Sequence, residues 1–343
     1  MGLRRVERFV RSAVFAWPFA AIGQTNKFDI KGLEHLDAAL EWKRRTGAGL
    51  ITVSNHQSLF DDPIVLCKLL QPTVFSVESK IWWSTPCQHN FAPSGDSVKC
   101  RFVRFFSDVS NMVFFERPQK NGGAVHHVDA YASALARRIA AEDFERLEAA
   151  ASAEGADLET WLGSFVTPGE PERLAALNQV GMIEAIARIR TGDWLHFFPE
   201  GTRSRTLRLR EPKKGVGKVI YHCPDALILP LCFYGMHDVL PIKSAVPRVG
   251  KRVAVTIGEP VPASAFAPLR ELAPTPETFQ SVVEAAWDSV VSMRTETLVR
   301  YMGQERADAL LLDEALSEAA TAPISERDAM THVTARTEVR TAA

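Results

Sequence analysis

Short apolar runs alternate along the chain with segments of helical periodicity, and this alternation constrains the fold more than any other feature. The runs are rich in aliphatic and aromatic residues and end at glycine, proline or polar turns, as strands do. Between them, apolar residues recur at helical spacing. The pattern predicts an α/β fold with a single mostly parallel or mixed central sheet flanked by helices. The predicted strands are residues 28–30, 50–53, 113–115, 194–198, 226–231 and 253–257.

Composition divides the 343-residue chain into three parts. Residues 1–27 are predicted to form an amphipathic helix at a membrane interface, because four arginines precede an apolar run too short to span a bilayer. A helix packed on the domain would need the same apolar face, so that alternative stays open. Residues 28–318 form the predicted folded domain, with an Ala- and Glu-rich helical insertion at about 121–177. Residues 319–343 are polar and are predicted to be a disordered tail.

Charge and cysteine usage exclude several classes of protein. The formal net charge is -1, so no overall field attracts nucleic acid. The five cysteines form no Cys-x-x-Cys pair, which disfavours a disulfide framework or a zinc site and predicts a reducing compartment such as the cytoplasm. Residues 215–218, Gly-Val-Gly-Lys, lack the first glycine and the final Ser or Thr of a phosphate loop. We predict no metal and no cofactor.

A His–Asp pair lies where the predicted strand 50–53 gives way to a helix. We assign Asp62 to the cap of a helix that begins at Pro63, which leaves Asp61 to face His56. An imidazole held by a carboxylate has a fixed tautomer and can take the proton of an attacking alcohol. The spacing alone does not establish this chemistry, since His56 could instead hydrogen-bond within a turn.

A basic run follows Gly201, and charge-assisted donors of this kind suit a phosphate group. Arg203 is the favoured donor, whereas Arg208 and Arg210 fit a solvated basic loop equally well. His196 and His237 are predicted to be structural histidines. The basic residues of the run are Arg203, Arg205, Arg208, Arg210, Lys213, Lys214 and Lys218.

Two motifs together resemble the signature of the glycerolipid acyltransferases of the lysophosphatidic-acid type. Residues 53–63 read Val-Ser-Asn-His-Gln-Ser-Leu-Phe-Asp-Asp-Pro, and residues 198–204 read Phe-Pro-Glu-Gly-Thr-Arg-Ser. The blocks at 192–196, Gly-Asp-Trp-Leu-His, and at 235–241, Gly-Met-His-Asp-Val-Leu-Pro, are similar to the tafazzin-like branch of phospholipid–lysophospholipid transacylases. The resemblance covers about residues 29–262, interrupted by the insertion.

The resemblance implies the glycerolipid acyltransferase fold for residues 28–318 and a role for each residue that matches a motif. Arg117 matches less well than the others, because no glycine heads its block. Lys213 is added from the basic run. The implied catalytic residues are His56 and Asp61, and the substrate-binding residues are Glu200, Gly201, Thr202, Arg203, Arg117 and Lys213.

The implied activity is O-acyl transfer onto lysophospholipids, and a tafazzin-like transacylase is the favoured form. An acyl-CoA-dependent 1-acylglycerol-3-phosphate acyltransferase is the alternative, in which acyl-CoA is the donor substrate. A lipid hydrolase and a non-catalytic membrane-binding relative are further alternatives. The expected partners are phospholipids, lysophospholipids and a membrane surface, which the chain would bind peripherally from a reducing compartment.

Overall fold

The computed structural model describes residues 17–70, 82–85, 112–113, 115, 131–136, 139, 141–166, 172–242, 244 and 246–321. The strands are β1 (Lys27–Lys31), β2 (Leu50–Ser54), β3 (Trp82–Ser84), β4 (Trp194–Phe197), β5 (Leu227–Tyr234), β6 (Arg252–Ile257) and β7 (Val261–Pro262). The α-helices are α1 (17–24), α2 (Leu33–Thr46), α3 (Asp61–Leu69), α4 (Tyr131–Ala136), α5 (Ala141–Ala153), α6 (Leu158–Gly163), α7 (Glu172–Arg190), α8 (Lys214–His222), α9 (Met236–Val239), α10 (Ala267–Arg270), α11 (Pro276–Ser292), α12 (Arg294–Met302) and α13 (Gln304–Thr321). A 3-10 turn spans Ala263–Phe266.

These strands form one sheet in the order β1-β6-β5-β2-β4-β3, and β7 pairs with β5. Strands β5, β2, β4 and β3 run parallel to one another. Strand β6 is antiparallel to β5 and parallel to β1, so the strand direction reverses between β5 and β6. The sheet is therefore mixed, which confirms the predicted α/β class. It also places the carboxyl ends of β2, β4 and β5 at one edge.

The sheet separates two apolar cores, and β5 shows why its sequence is apolar throughout. Alternate side chains of β5, such as Leu229 and Leu231, pack with α2 and α3 on one face. The side chains between them, such as Ile228 and Cys232, pack with α7, α8 and α11 on the other face. All eight residues of β5 are buried, as expected of a strand covered on both faces.

Two predictions about local structure differ from the described chain. The predicted strand at 113–115 is not a continuous strand: the described residues of this segment show only isolated bridges, at Met112 and Phe115. The edge position beside β4 is taken instead by β3, a three-residue strand that the apolar pattern did not predict.

The start of α3 also differs from the prediction. The helix begins at Asp61, its N-cap is Phe60, and no side chain caps it. Asp62 therefore lies inside the first turn and is not the cap, and Pro63 is the third helical residue. Both carboxylates still lie at the end of the helix where its dipole favours negative charge.

The first described residue is residue 17 and the last is residue 321. Helix α1 packs on the domain through Phe19, whose ring lies 5.2 Å from that of Phe60. Residues 1–16 lie outside the described chain. Helix α13 runs to Thr321, so it passes the predicted tail boundary at 319, and residues 322–343 lie outside the described chain. None of the described helices is long and apolar enough to cross a membrane.

The glycine pair of the apparent phosphate loop serves helix packing. Gly215 and Gly217 both lie in α8, which packs closely against α11. A Cβ atom on Gly217 would lie 1.8 Å from the backbone oxygen of Phe279. Glycine is therefore required there by the close approach of two backbones.

We predict that Gly217→Ala lowers the free energy of unfolding by roughly 2–3 kcal/mol, because α8 and α11 must move apart. Gly163→Ala is the matched control, since a Cβ atom at Gly163 meets no atom within 4 Å. Chemical unfolding of both variants measures the difference. Equal stability of the two variants would show that the helices do not pack as described.

Candidate active site

The His–Asp pair lies at the sheet edge where β2 and β4 end. Residues 55–60, here called the His56 loop, join β2 to α3. Residues 198–213, here called the basic loop, join β4 to α8. Because β2 and β4 are neighbouring parallel strands, both loops leave the sheet at the same edge, where sites of α/β proteins usually form.

The structure brings His56 and Asp61 into a hydrogen bond. His56 Nδ1 lies 2.9 Å from Asp61 Oδ2. The same oxygen accepts hydrogen bonds from the backbone N–H groups of Gln57 and, at 2.8 Å, Ser58. Because this oxygen already accepts from two amides, it accepts from His56 as well, so Nδ1 is the donating nitrogen. In the neutral imidazole, Nε2 then carries the lone pair. The Asp61 side chain is fully buried, whereas 17% of the His56 side chain is exposed.

The basic loop holds His56 from one side. The backbone N–H of His56 donates to Glu200 Oε1 at 2.9 Å, and its carbonyl oxygen accepts from the Ser204 N–H at 2.7 Å. The imidazole stacks on the ring of Phe198, with 3.9 Å between ring centroids and 18° between planes. The orientation of His56 is therefore set by backbone bonds and by ring packing as well as by Asp61.

Strand β5 holds the His56 loop from the other side. Asn55 Nδ2 donates to the Phe233 carbonyl at 2.7 Å, and the Phe233 N–H donates back to Asn55 Oδ1 at 2.9 Å. The Gly235 N–H donates to Gln57 Oε1 at 3.1 Å. The side chains of Asn55 and Gln57 are thus anchored to β5 and the residue that follows it, while His56 between them is anchored to the basic loop.

Glu200 is buried at the centre of the basic loop, with 1% of its surface exposed. Its second oxygen, Oε2, accepts from the Arg210 N–H at 3.2 Å. Burial raises the pKa of Glu200 to about 7, although the N–H bonds from His56 and Arg210 and the Arg210 charge lower it. Glu200 therefore ties the two loops together through a carboxyl group whose ionisation is costly.

The other predicted substrate-binding residues, apart from Arg117, lie near Glu200 in the chain. Gly201 has a φ of 66° and its Cβ position is blocked by the side chain of Lys213, so glycine suits this turn. Thr202 and Arg203 are half-buried. Within the described part of the chain, Arg203 makes no hydrogen bond and no ion pair. Arg117 lies outside the described residues.

Arg208 is bound by helix α13, and this partner was not predicted. Its Nη2 lies 2.9 Å from Asp313 Oδ2 and 3.2 Å from the Ser317 hydroxyl, both on α13. Glu314 on the same helix lies 3.8 Å from Arg208 and 2.6 Å from Arg294. Arg208 therefore fastens the basic loop to α13.

Two other histidines flank the site. His196 is buried and its two ring nitrogens contact the hydroxyls of Thr52 at 2.8 Å and Ser54 at 3.1 Å. Burial lowers the pKa of His196 to about 3, so it stays neutral. The His196 ring also packs edge-on against the ring of Phe198, on which the His56 imidazole stacks. His237 contacts Gln57 and Tyr301.

The candidate site contains residues that the sequence alone did not single out. Asn55, Gln57 and Ser204 hold the His56 loop. Asn55 and Gln57 flank His56 directly after a strand, and this alternation could have indicated that both point away from the His56 side. Among the described residues, no group of three or more His, Cys, Asp or Glu side chains could hold a metal ion.

Parts of this chain are similar to known proteins. Residues 163–234 match the family model described as Acyltransferase. Taffazin of Dictyostelium discoideum is 35% identical over 89 residues, which is 24% of this chain and 31% of that protein. Tafazzin of Drosophila melanogaster is 30% identical over 116 residues, which is 33% of this chain and 31% of that protein. The matched segments thus span about a third of the length of these curated relatives.

The 1-acyl-sn-glycerophosphate (LPA) acyltransferase PlsC from Thermotoga maritima superimposes with a TM-score of 0.43 and 17% identity, over 85% of this chain and 84% of that one.

The resemblance to glycerolipid acyltransferases that the two motifs indicate is therefore confirmed. The similar proteins include tafazzins. They also include N-acylphosphatidylethanolamine synthase of Arabidopsis thaliana, which is 31% identical over 97 residues, or 26% of this chain and 34% of that protein.

The raised pKa of Glu200 predicts a specific pH dependence of stability. A carboxyl whose pKa is higher in the folded than in the unfolded state stabilises the fold at low pH, and that stability is lost as pH rises through about 7. Relative to Glu200→Gln, the wild-type protein should lose about 2 kcal/mol of unfolding free energy between pH 5 and pH 8.

Urea unfolding at both pH values measures this loss. Glu211→Gln, on the exposed part of the same loop, is the control and should follow the wild type. An identical pH dependence in wild type and Glu200→Gln would contradict the assignment.

Proposed function

We propose that this protein transfers a fatty-acyl group to the hydroxyl of a lysophospholipid, with His56 as the general base and Asp61 as its orienting carboxylate. The observation that carries the proposal is the 2.9 Å contact between His56 Nδ1 and Asp61 Oδ2. It leaves His56 Nε2, which makes no hydrogen bond with another described residue, to accept a proton. The resemblance to glycerolipid acyltransferases supports the same assignment.

The proposed chemistry needs one proton carrier. The lysolipid hydroxyl loses its proton to His56 Nε2 while its oxygen attacks the carbonyl carbon of the donor ester. The tetrahedral intermediate then collapses, and the donor's alkoxide oxygen leaves with the proton from His56. Asp61 stabilises the imidazolium between these steps, as in other His–Asp sites. If acyl-CoA is the donor, the leaving atom is the thiol sulfur.

The phosphate of the lysolipid is proposed to bind at the basic loop. Arg203 supports this role, because it is half-buried near Glu200 and has no partner among the described side chains. Lys213 lies over Gly201, and Thr202 follows in the same turn. Guanidinium and ammonium groups close to backbone turns are suitable phosphate donors. Arg117 stays a prediction from the motif.

A phospholipid is the proposed acyl donor, because tafazzins are among the curated relatives reported above. To test the function, purified protein is incubated with labelled lysolipid and either phospholipid vesicles or acyl-CoA. Transfer from phospholipid without CoA supports the proposed donor, and transfer only with acyl-CoA supports a CoA-dependent acyltransferase. Release of free fatty acid without transfer would identify a lipid hydrolase and refute the proposal.

We predict that His56→Ala lowers the rate of acyl transfer at least about 100-fold, because the proton acceptor is lost. His35→Ala is the matched control: its Nδ1 contacts the Ile257 carbonyl at 2.9 Å, at the end of a strand that runs opposite to β5. Retained transfer in a folded His56→Ala protein would exclude His56 as the base.

A membrane surface is the proposed site of action, and the exposed apolar residues near the His56 loop support it. Leu59 lies in that loop and is 36% exposed, and Trp17 on α1 is 68% exposed. Val246 and Val249 are 71% and 68% exposed in a segment that contacts the end of α1 through the bond from Gly250 N–H to the Thr25 carbonyl. Apolar side chains presented in this way suit insertion among lipid headgroups.

We predict that the double change Val246→Glu and Val249→Glu weakens binding to phospholipid vesicles roughly tenfold, since burial of two apolar side chains is lost. The control pair is Leu272→Glu and Val291→Glu, which are 53% and 45% exposed. Vesicle co-sedimentation compares them. Equal weakening by both pairs would place the membrane contact elsewhere.

A further inference from the structure

A chain of hydrogen bonds reaches the His56 loop from helix α12. Gln57 Oε1 lies 3.4 Å from His237 Nδ1, and His237 Nε2 lies 3.2 Å from the hydroxyl of Tyr301. The Tyr301 hydroxyl donates to Asp238 Oδ2 at 2.6 Å. His237 and Asp238 belong to the four-residue helix α9, which follows Gly235.

We propose that His237 is a positioning residue for acyl transfer, which holds the Gln57 side chain and through it the loop that carries His56. The proposal rests on the proposed function for its activity test, and on the geometry of the loop for a second test. His237 does not need to touch the substrate in this role.

The orientation of the Gln57 amide is fixed by its partners. The backbone N–H of Gly235 can only donate, so the oxygen of the amide must face it. The amide nitrogen, Nε2, is buried and has no partner among the described residues. The contacts at Oε1, from Gly235 and from His237, are therefore those that aim the side chain. Loss of His237 leaves a single bond of 3.1 Å to do so.

The protons of His237 follow from this orientation. Because Gln57 Oε1 accepts, His237 must donate from Nδ1. In neutral His237, Nε2 can accept a hydrogen bond from the Tyr301 hydroxyl only when that single proton turns away from Asp238. In protonated His237, Nε2 donates to the Tyr301 oxygen while Tyr301 donates to Asp238.

The bond to Gln57 persists in both charge states. Burial lowers the pKa of His237, and Asp238 and Asp61 oppose that shift as the charged groups that face it.

Gln57 is linked to the reacting imidazole of His56 through Asp61. The backbone N–H of Gln57 donates to Asp61 Oδ2, the oxygen that also accepts from His56 Nδ1. A displacement of the Gln57 backbone, which its anchored side chain opposes, would therefore change the hydrogen bonds of the carboxylate that orients the base. Small displacements of a base from its reacting partner reduce the rate while leaving binding of the substrate unchanged.

The activity test compares His237→Ala, His237→Asn and the control His35→Ala. In His237→Asn, the side-chain Nδ2 can replace the imidazole Nδ1–H toward Gln57. We expect His237→Ala to lower kcat about tenfold with an unchanged KM for lysolipid, and His237→Asn to recover most of that loss. An unchanged kcat in His237→Ala, or an equal loss in His237→Asn, would overturn the proposal.

A second readout does not require activity. In protein labelled with nitrogen-15 histidine, the Nδ1–H resonance of His56 is identified by its loss in His56→Ala. We expect His237→Ala to shift or broaden this resonance and His35→Ala to leave it unchanged. An unchanged resonance in His237→Ala overturns the proposal.

The two readouts also separate this inference from the proposed function. If the resonance responds but the wild-type protein transfers no acyl group, His237 positions His56 and the proposed function fails. If His237→Ala does not fold, Tyr301→Phe is used in both measurements, since it keeps the ring that stacks on Tyr234 and removes only the hydroxyl. A smaller loss of kcat in the same direction supports the proposal, and no loss contradicts it.

Discussion

The buried carboxylate of Asp61 is the interaction on which the site depends. One oxygen, Oδ2, accepts from the imidazole of His56 and from the two backbone amides that follow it in the chain. The turn and the base are therefore built on a single acceptor, and neither can move without the other. A buried carboxylate without these donors would destabilise the fold. The same three hydrogen bonds therefore stabilise the loop and orient the base.

Much of the fold and the His–Asp pair could be predicted from the sequence, because both depend on local pattern. Central strands such as β2 and β5 are buried on both faces and read as apolar runs. Strand β3 is short and was missed, since three residues carry too little pattern. Asp62 was wrongly assigned as a cap, because a sequence cannot show that the Asp61 side chain turns back to amides before the helix.

The parts of the site that could not be predicted depend on contacts between distant segments. The burial that raises the pKa of Glu200 requires both loops to be in place. Arg208 pairs with α13 and is therefore not open to a ligand. Nothing in the sequence distinguishes it from the other arginines of the basic run. Charge patterning identifies a phosphate-suited segment, whereas tertiary structure decides which of its cations is already occupied.

The sequence separation of these anchors has a consequence for the order in which the protein is made. The bonds that aim His56 reach it from Glu200 and, through Asn55 and Gln57, from Phe233 and Gly235, so they join residues 144 to 178 positions apart. A nascent chain that ends before residues 200–235 have emerged carries the complete His–Asp motif but lacks these long-range anchors of His56. The His–Asp motif is thus synthesised early, whereas the anchors that fix the orientation of His56 are synthesised late.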